Sequence, residues 1–222
     1  KPLKKIVSSE NAIKLNNKEI RFNKYKVKLR QAGMGSVVDQ LERDTYTILD
    51  RCNNPNLKAN WDRRGLVYGH VQSGKTANYI GLINRALDHG YKIVIVLTGM
   101  TEDLRRQTQE RIDEFIDNNK PYKIVKPTNL KDDFSSKFKY QHNENISYRD
   151  HSIWVIKKNK TVLENLILWF DDQRKKQNSQ FLNDTPVLII DDEADNASIQ
   201  SISTKHLNEW EVGLELQKKD EE

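Results

Sequence analysis

Residues Gly69-His70-Val71-Gln72-Ser73-Gly74-Lys75-Thr76 fit G-x-x-x-x-G-K-S/T at every fixed position. Each fixed residue type has a chemical reason. Glycines let the backbone curl until successive N–H groups point inward at phosphate oxygens, beside the positive end of a following helix. Lys75 brings a cation to the β- and γ-phosphates of a nucleotide. Thr76 offers its hydroxyl to Mg²⁺, which takes a few protein oxygens and keeps several waters. His70 sits inside the loop, where its backbone is better suited to contact than its ring is to catalysis. A bland alternative is a glycine-rich turn with a solvated lysine. It needs neither a strand before the motif nor a helix after it, and the chain carries both patterns.

The second cluster is Val187-Leu188-Ile189-Ile190-Asp191-Asp192-Glu193-Ala194-Asp195. An apolar strand ending in carboxylates gives a metal a partner opposite Thr76 and gives water an orienting acid. With D-E-A-D as the register, Asp192 holds Mg²⁺ through its water shell and Glu193 polarises the attacking water. Asp191 could shift that register by one, so both aspartates stand as candidates. Acidic runs after strands are often plain solvated turns; pairing with the phosphate cradle is what gives this one meaning. Lys75, Asp192 and Glu193 form the expected catalytic set of a nucleoside triphosphate hydrolase.

These residues need a scaffold that brings two distant segments together. Ser36–Cys52 shows helical spacing and stops at Asn53-Asn54-Pro55. Arg64–Tyr68 has the profile of a buried strand entering the glycine loop. Lys75–His89 reads as a helix with Ile80, Ile83 and Leu87 inward and Gly90 as its stop. Ile93–Leu97 is a second buried strand. Thr101 caps a helix carrying Leu104, Ile112, Phe115 and Ile116 inward and ending near Asn118-Asn119. Residues 118–150 are irregular, with a short strand at Tyr122–Val125. Ile153–Ile156 is a third clear strand, followed by a helix with Leu163, Leu166, Ile167 and Phe170 on one face. Val187–Ile190 is the fourth, and a weak amphipathic helix is expected over Leu207–Leu216. Such alternation implies right-handed crossovers and a three-layer α/β fold, a parallel sheet with helices on both faces. Ligands then sit beyond the carboxyl ends of the strands.

Charge is uneven along the chain. Residues 1–30 carry Lys1, Lys4, Lys5, Lys14, Lys18, Arg21, Lys24, Lys26, Lys28 and Arg30 against Glu10 and Glu19, a balance of +8 within a total of +5. The remainder is therefore net acidic. The basic arm reads either as a phosphate-seeking segment or as a solvated leader. The longest apolar runs, Ile93–Leu97 and Val187–Ile190, fall far short of the ~18 residues needed to span a bilayer. Cys52 is the only cysteine, which excludes a disulfide-stapled domain. No cleavable targeting segment is visible, and these bounds together predict a cytoplasmic, globular protein. The five histidines, His70, His89, His142, His151 and His206, are scattered, so no metal cluster is expected. The expected division is a basic arm at 1–35, a helical lead-in at 36–60, a nucleotide-binding lobe at 61–200 and a polar extension at 201–222.

GHVQSGKT and IDDEAD look like motifs I and II of the first RecA-like lobe of superfamily 2 helicases and translocases. More narrowly, RRGLVYGHVQSGKTANYIGLINRA, IVIVLTGMTEDLRRQTQERID and VLIIDDEADNAS resemble the bacterial endonuclease Z-one domain family. Gln72-Ser73 in the loop and Asn196-Ala197-Ser198 after the carboxylates separate this pattern from ordinary DEAD-box proteins. The resemblance implies a P-loop ATPase using ATP and Mg²⁺, helicase- or translocase-like, in bacterial restriction or anti-phage systems. It also implies DNA as a partner, with nuclease, methylase or MutL-type ATPase subunits nearby. Carried over by position, Leu97-Thr98-Gly99 and Leu104–Gln107 correspond to motif Ia, and Ile156–Asn159 to motif Ib. Thr98, Gly99, Arg105 and Lys157 are then candidate nucleic-acid contacts, of a kind normal for phosphate oxygens. Arg105, Arg106 and Arg111 can equally form a solvated helix face.

The departures from that family pattern are informative. No motif III and no second lobe with an arginine finger follow Asp195, so the natural chain is expected to extend further, beyond both Lys1 and Glu222. Without such an arginine, turnover should be slow, since it is worth ~10³–10⁵ in rate. No carboxylate–lysine set outside motif II resembles a nuclease centre. Trp61, Arg63 and Arg64 could stack on a base, though Trp61 also suits packing. Two other readings compete with a motor lobe. One is an ATP-gated switch or scaffold that moves no DNA; the other, a P-loop kinase, is disfavoured by the D-E-A-D tetrad.

Overall fold

A computed structural model describes residues 19–57, 62–68, 74–116, 124–135, 151–176 and 185–194. Its elements are α1 (Ile20–Gln31), a 3₁₀ turn (Gly35–Val37), α2 (Val38–Arg51), α3 (Lys75–Asp88) and β1 (Ile93–Thr98). They continue with α4 (Glu102–Phe115), β2 (Ile124–Val125), β3 (His151–Lys157), α5 (Lys160–Lys176) and β4 (Val187–Asp191). The arm at 1–18, Trp61, Gly69–Ser73, Asp195, His142, His206 and the helix expected over Leu207–Leu216 lie outside the described residues.

The fold is α/β, as the strand–helix alternation implies, and RecA-like, as the resemblance of the two motifs implies. Four strands run parallel in the order β2-β3-β1-β4. Ile93 of β1 pairs with Ser152 of β3 on one side and Val187 of β4 on the other, so the carboxyl ends finish level. Side chains alternate across this sheet. Val94, Val96, Ile153 and Val155 face a cluster with Phe22, Tyr25, Leu29, Ile80, Ile83 and Ile112 from the helices. Ile93, Ile95, Trp154 and Ile156 face the other way, against Phe134, Val162, Leu166 and Trp169. Three layers result.

Tertiary packing revises several local expectations. Ile20–Gln31, within the expected basic arm, is a helix whose Phe22, Tyr25 and Leu29 enter the core. The solvated-leader reading therefore fails for this stretch. Asp88, at the end of α3, accepts from the backbone N–H of Arg21 (3.1 Å) and Phe22 (3.0 Å), capping α1 from another element. Some of the arm's cations are engaged internally: Lys26 pairs with Glu42 at 3.0 Å, and Lys28 Nζ donates to Glu114 O at 2.7 Å.

Arg64–Tyr68 is not a buried strand. Residues 62–68 form no part of the four-stranded sheet, and Leu66, Val67 and Tyr68 are 83%, 63% and 84% exposed. An apolar run becomes a strand only where an edge accepts its backbone, and in this sheet the strand next to β4 is β1 alone. For the same reason β4 is only partly covered, with Ile189 57% exposed. In α5, Ile167 is exposed, and the buried stripe runs through Val162, Leu166 and Trp169. The Trp169 ring meets Trp154 edge-on at 4.8 Å, and the largest ring sets the helix's rotation. Leu104 of α4 is likewise at the surface, and α4 ends at Phe115.

Candidate nucleotide site

The helix that begins the site is opened by a glycine for a stereochemical reason. Gly74 precedes α3 with φ +77, in the left-handed region that side-chain-bearing residues rarely adopt. Lys75 is the first helical residue and is exposed. The unpaired N–H groups and positive dipole end of a 14-residue helix therefore lie beside the lysine, an arrangement suited to anions. The preceding Gly69, His70, Val71, Gln72 and Ser73 are outside the described residues.

Thr76, one residue on, does not point into bulk solvent. Its Oγ1 accepts a hydrogen bond from Arg111 Nη1 of α4 at 3.1 Å. Tyr79, a turn further along α3, is buried, and its hydroxyl closes no hydrogen bond of good geometry, although Thr76, Thr108 and Asp192 surround it. Burial and the neighbouring Asp192 push the Tyr79 phenol up to about 12, so it stays neutral.

The acidic segment is held by the strand ends. Asp192 N donates to Leu97 O at 3.0 Å, fixing the turn after β4 against the end of β1. Lys158, just past β3, donates from Nζ to Asp191 Oδ2 at 2.6 Å and to Glu193 O at 3.3 Å. Asp191 Oδ1 also accepts from Glu193 N at 3.3 Å. The two candidate aspartates are thus distinguished. Asp191 braces the turn, while Asp192 lies among Glu193, Tyr79, Arg111 and Lys75. Burial and then Glu193 raise the Asp192 carboxyl above its ordinary range, against the opposing pull of Tyr79, Arg111 and Lys75. The Glu193 carboxyl packs over Gly99, since a Cβ at Gly99 would sit 3.5 Å from Glu193 Cδ and would also collide with Leu104.

A hydroxyl and a carboxylate that share Tyr79 and Arg111 as neighbours form an all-oxygen donor pair. That set fits Mg²⁺, which needs only one or two protein ligands beside phosphates and water. Among the described residues no group of three or more His, Cys, Asp or Glu gathers that could hold a metal unaided. His89 Nε2 lies 3.2 Å from Glu19 Oε1, and His151 Nδ1 is 3.3 Å from Arg21 Nη2.

The expected nucleic-acid contacts are mostly engaged inside the protein. Arg105 is fully buried, its guanidinium donating to Glu102 Oε1 (2.9 Å) and Asn129 O (2.8 Å). It is an internal strut between α4 and the 124–135 segment, not part of a solvated face. Thr98 is buried and donates to Ile156 O at 3.2 Å, and Gly99 is buried beneath Leu104. Lys157 pairs with Glu102 at 2.9 Å and more distantly with Asp133. Sequence reasoning passed over Lys158, Tyr79 and the inward turn of Arg111. Lys158 had a usable signal: side chains alternate at a strand end, so Lys157 and its neighbour aim at opposite sides.

A family model described as Type III restriction enzyme, res subunit, matches residues 14–215. Neither a curated protein nor a solved structure matches the chain. With a match over nearly its whole length, the chain belongs to the Type III restriction enzyme res-subunit family, a helicase-like group of superfamily 2.

Proposed function

We propose that this chain is the ATP-binding and ATP-hydrolysing motor lobe of a DNA-directed helicase- or translocase-like protein in a bacterial restriction or anti-phage system. The observation that carries the reading is the convergence of Lys75, Thr76 and Asp192 around Tyr79 and Arg111, at the carboxyl edge of a parallel sheet. The 69–76 loop cradles the phosphates with its backbone, and Lys75 neutralises them. Thr76 and Asp192 would hold Mg²⁺, which supplies charge neutralisation at the phosphates when bound. Glu193 orients the attacking water, and Lys158 keeps Glu193 in position through the turn. Membership of the res-subunit family supports the restriction setting, DNA as partner and a methylase subunit as companion. The narrower likeness to the Z-one domain family, with nuclease or MutL-type companions, rests on the three sequence blocks alone. We assign the lobe to residues 61–200, with α1 of the 1–35 arm and the 36–60 lead-in docked against it and 201–222 as an extension. Among the described residues no helix is long and apolar enough to cross a membrane, in keeping with a cytoplasmic site of action.

A second reading has one specific observation in its favour. Thr98 and Lys157 are occupied with internal partners, as an ATP-gated switch that never grips DNA would allow. Turnover separates the two. Mg²⁺-ATP binding and hydrolysis are measured for this chain and for a longer natural chain, each with and without DNA. Binding by both, with DNA-stimulated turnover in the longer one, supports the motor. Turnover indifferent to DNA, and DNA affinity without salt dependence, would favour the switch.

A further inference from the structure

Neither the loop nor the acidic turn accounts for the guanidinium of Arg111. It reaches from the third turn of α4 across to α3 and donates to Thr76 Oγ1 at 3.1 Å. The approach is built into the helix. Thr108, one turn earlier, is buried beside the Tyr79 hydroxyl, and Ile112, one residue later, is fully buried in the core, which fixes the rotation of α4. Arg111 itself stays exposed, so its long side chain has room to move.

We propose that Arg111 is a phosphate-contacting residue supplied in cis, which lets the site distinguish a nucleoside triphosphate from a diphosphate. The inference rests on the cradle reading of Lys75 and Thr76. Two cations compete for the surroundings of one hydroxyl oxygen. A divalent ion at Thr76 repels a guanidinium bonded to the same atom unless anionic oxygens come between them. The β-phosphate is served by the loop backbone and Lys75. The acceptors left for Arg111 are those of the γ-phosphate, which a guanidinium can engage with two parallel N–H donors. A diphosphate has no γ-phosphate and gives Arg111 no such acceptors. Because Arg111 belongs to α4, the exchange also reports the phosphate to the helix that follows β1.

The test compares binding of fluorescent tri- and diphosphate analogues of adenosine, with Mg²⁺, to the whole 222-residue chain. Arg111→Ala should weaken the triphosphate by on the order of tenfold or more, the usual worth of a charge-assisted hydrogen bond, and leave the diphosphate unchanged. Arg111→Lys should recover part of the loss. Equal weakening of both nucleotides, or of neither, overturns the proposal. Lys75→Ala is the control for the underlying reading. If it weakens both nucleotides while Arg111→Ala has no selective effect, only the Arg111 assignment fails. If Lys75→Ala weakens neither, the cradle fails and the Arg111 assignment with it.

Discussion

The two ends of α3 carry charge in opposite ways. At its C-terminal end Arg85 is buried and ion-paired with Glu19. Its Nε, 2.7 Å from Oε1, closes no hydrogen bond of good geometry. Its other nitrogens donate to Glu19 Oε2 at 2.9 Å, to Glu42 O at 2.8 Å and to Thr45 Oγ1 at 2.9 Å, with the guanidinium 3.9 Å from the Phe22 ring centre. Asp88 caps α1 with both carboxylate oxygens. Burial alone would raise the Glu19 carboxyl, but His89 and Arg85 hold it below its ordinary value. At the N-terminal end Lys75 and Arg111 are exposed, the Tyr79 hydroxyl is buried without a well-formed bond, and Asp192 is raised. One end has its polar groups matched to one another; the other keeps bonding capacity in reserve. The contrast separates charges that hold α1 and α2 onto the lobe from charges arranged for a ligand.

Four substitutions would sharpen or break that contrast. The largest effect is expected at the ligand end. Glu193→Gln in the longer natural chain should lower turnover by roughly 10²–10⁴-fold while nucleotide affinity is kept, because only proton handling at the water is lost. Steady-state hydrolysis and equilibrium binding measured on one preparation would check this, and wild-type turnover would remove Glu193 from its role.

Next comes the closed end. Arg85→Ala leaves Glu19 without its main partner and should cost about 3 kcal/mol of stability in urea unfolding, as for other part-buried pairs broken on one side. A loss near zero would mean that the network is incidental.

The smallest effects are those of pH, and Glu19 and Asp192 should differ in sign. Glu19 has a lowered folded value, so its contribution is present above 4.5 and fades as pH falls through the folded value. Glu19→Gln should flatten the acid limb of the stability curve and destabilise at neutral pH. Asp192 has a raised folded value, so its ionised form disfavours the folded state at neutral pH, a penalty relieved on acidification. Asp192→Asn should therefore stabilise the nucleotide-free chain near pH 7. Thermal unfolding between pH 4 and 8 would test both signs; like signs would erase the distinction between these two carboxylates.

Much of this was legible before any fold was in hand, and the reasons for the failures are specific. Lys75–Asp88 and Glu102–Phe115 carry their own start signals, Gly74 and Thr101, so their first residues could be read locally. Ile93–Thr98 is apolar on both faces and could only be central. Arg64–Tyr68 has the same apolar character, yet pairing depends on a neighbouring edge that composition does not reveal. Ile167 and Trp169 both fit a helical stripe, and Trp154 across the interface selects between them. Arg105 and Arg111 look alike in sequence. Arg105 is closed in by Glu102 and Asn129, and Arg111 is turned toward Thr76.

By itself the sequence determined the chemistry of the site: a glycine-bearing loop ahead of a helix, a lysine and a hydroxyl at its start, and carboxylates after an apolar strand. Those are short-range signals, set by backbone conformation and residue type. Only the tertiary structure decided which aspartate braces the turn and which faces the cradle, which arginine reaches Thr76, and that α1 belongs to the packed core. Those choices depend on the strand order β2-β3-β1-β4 and on helix rotations set by distant rings, and they become definite only when the layers close.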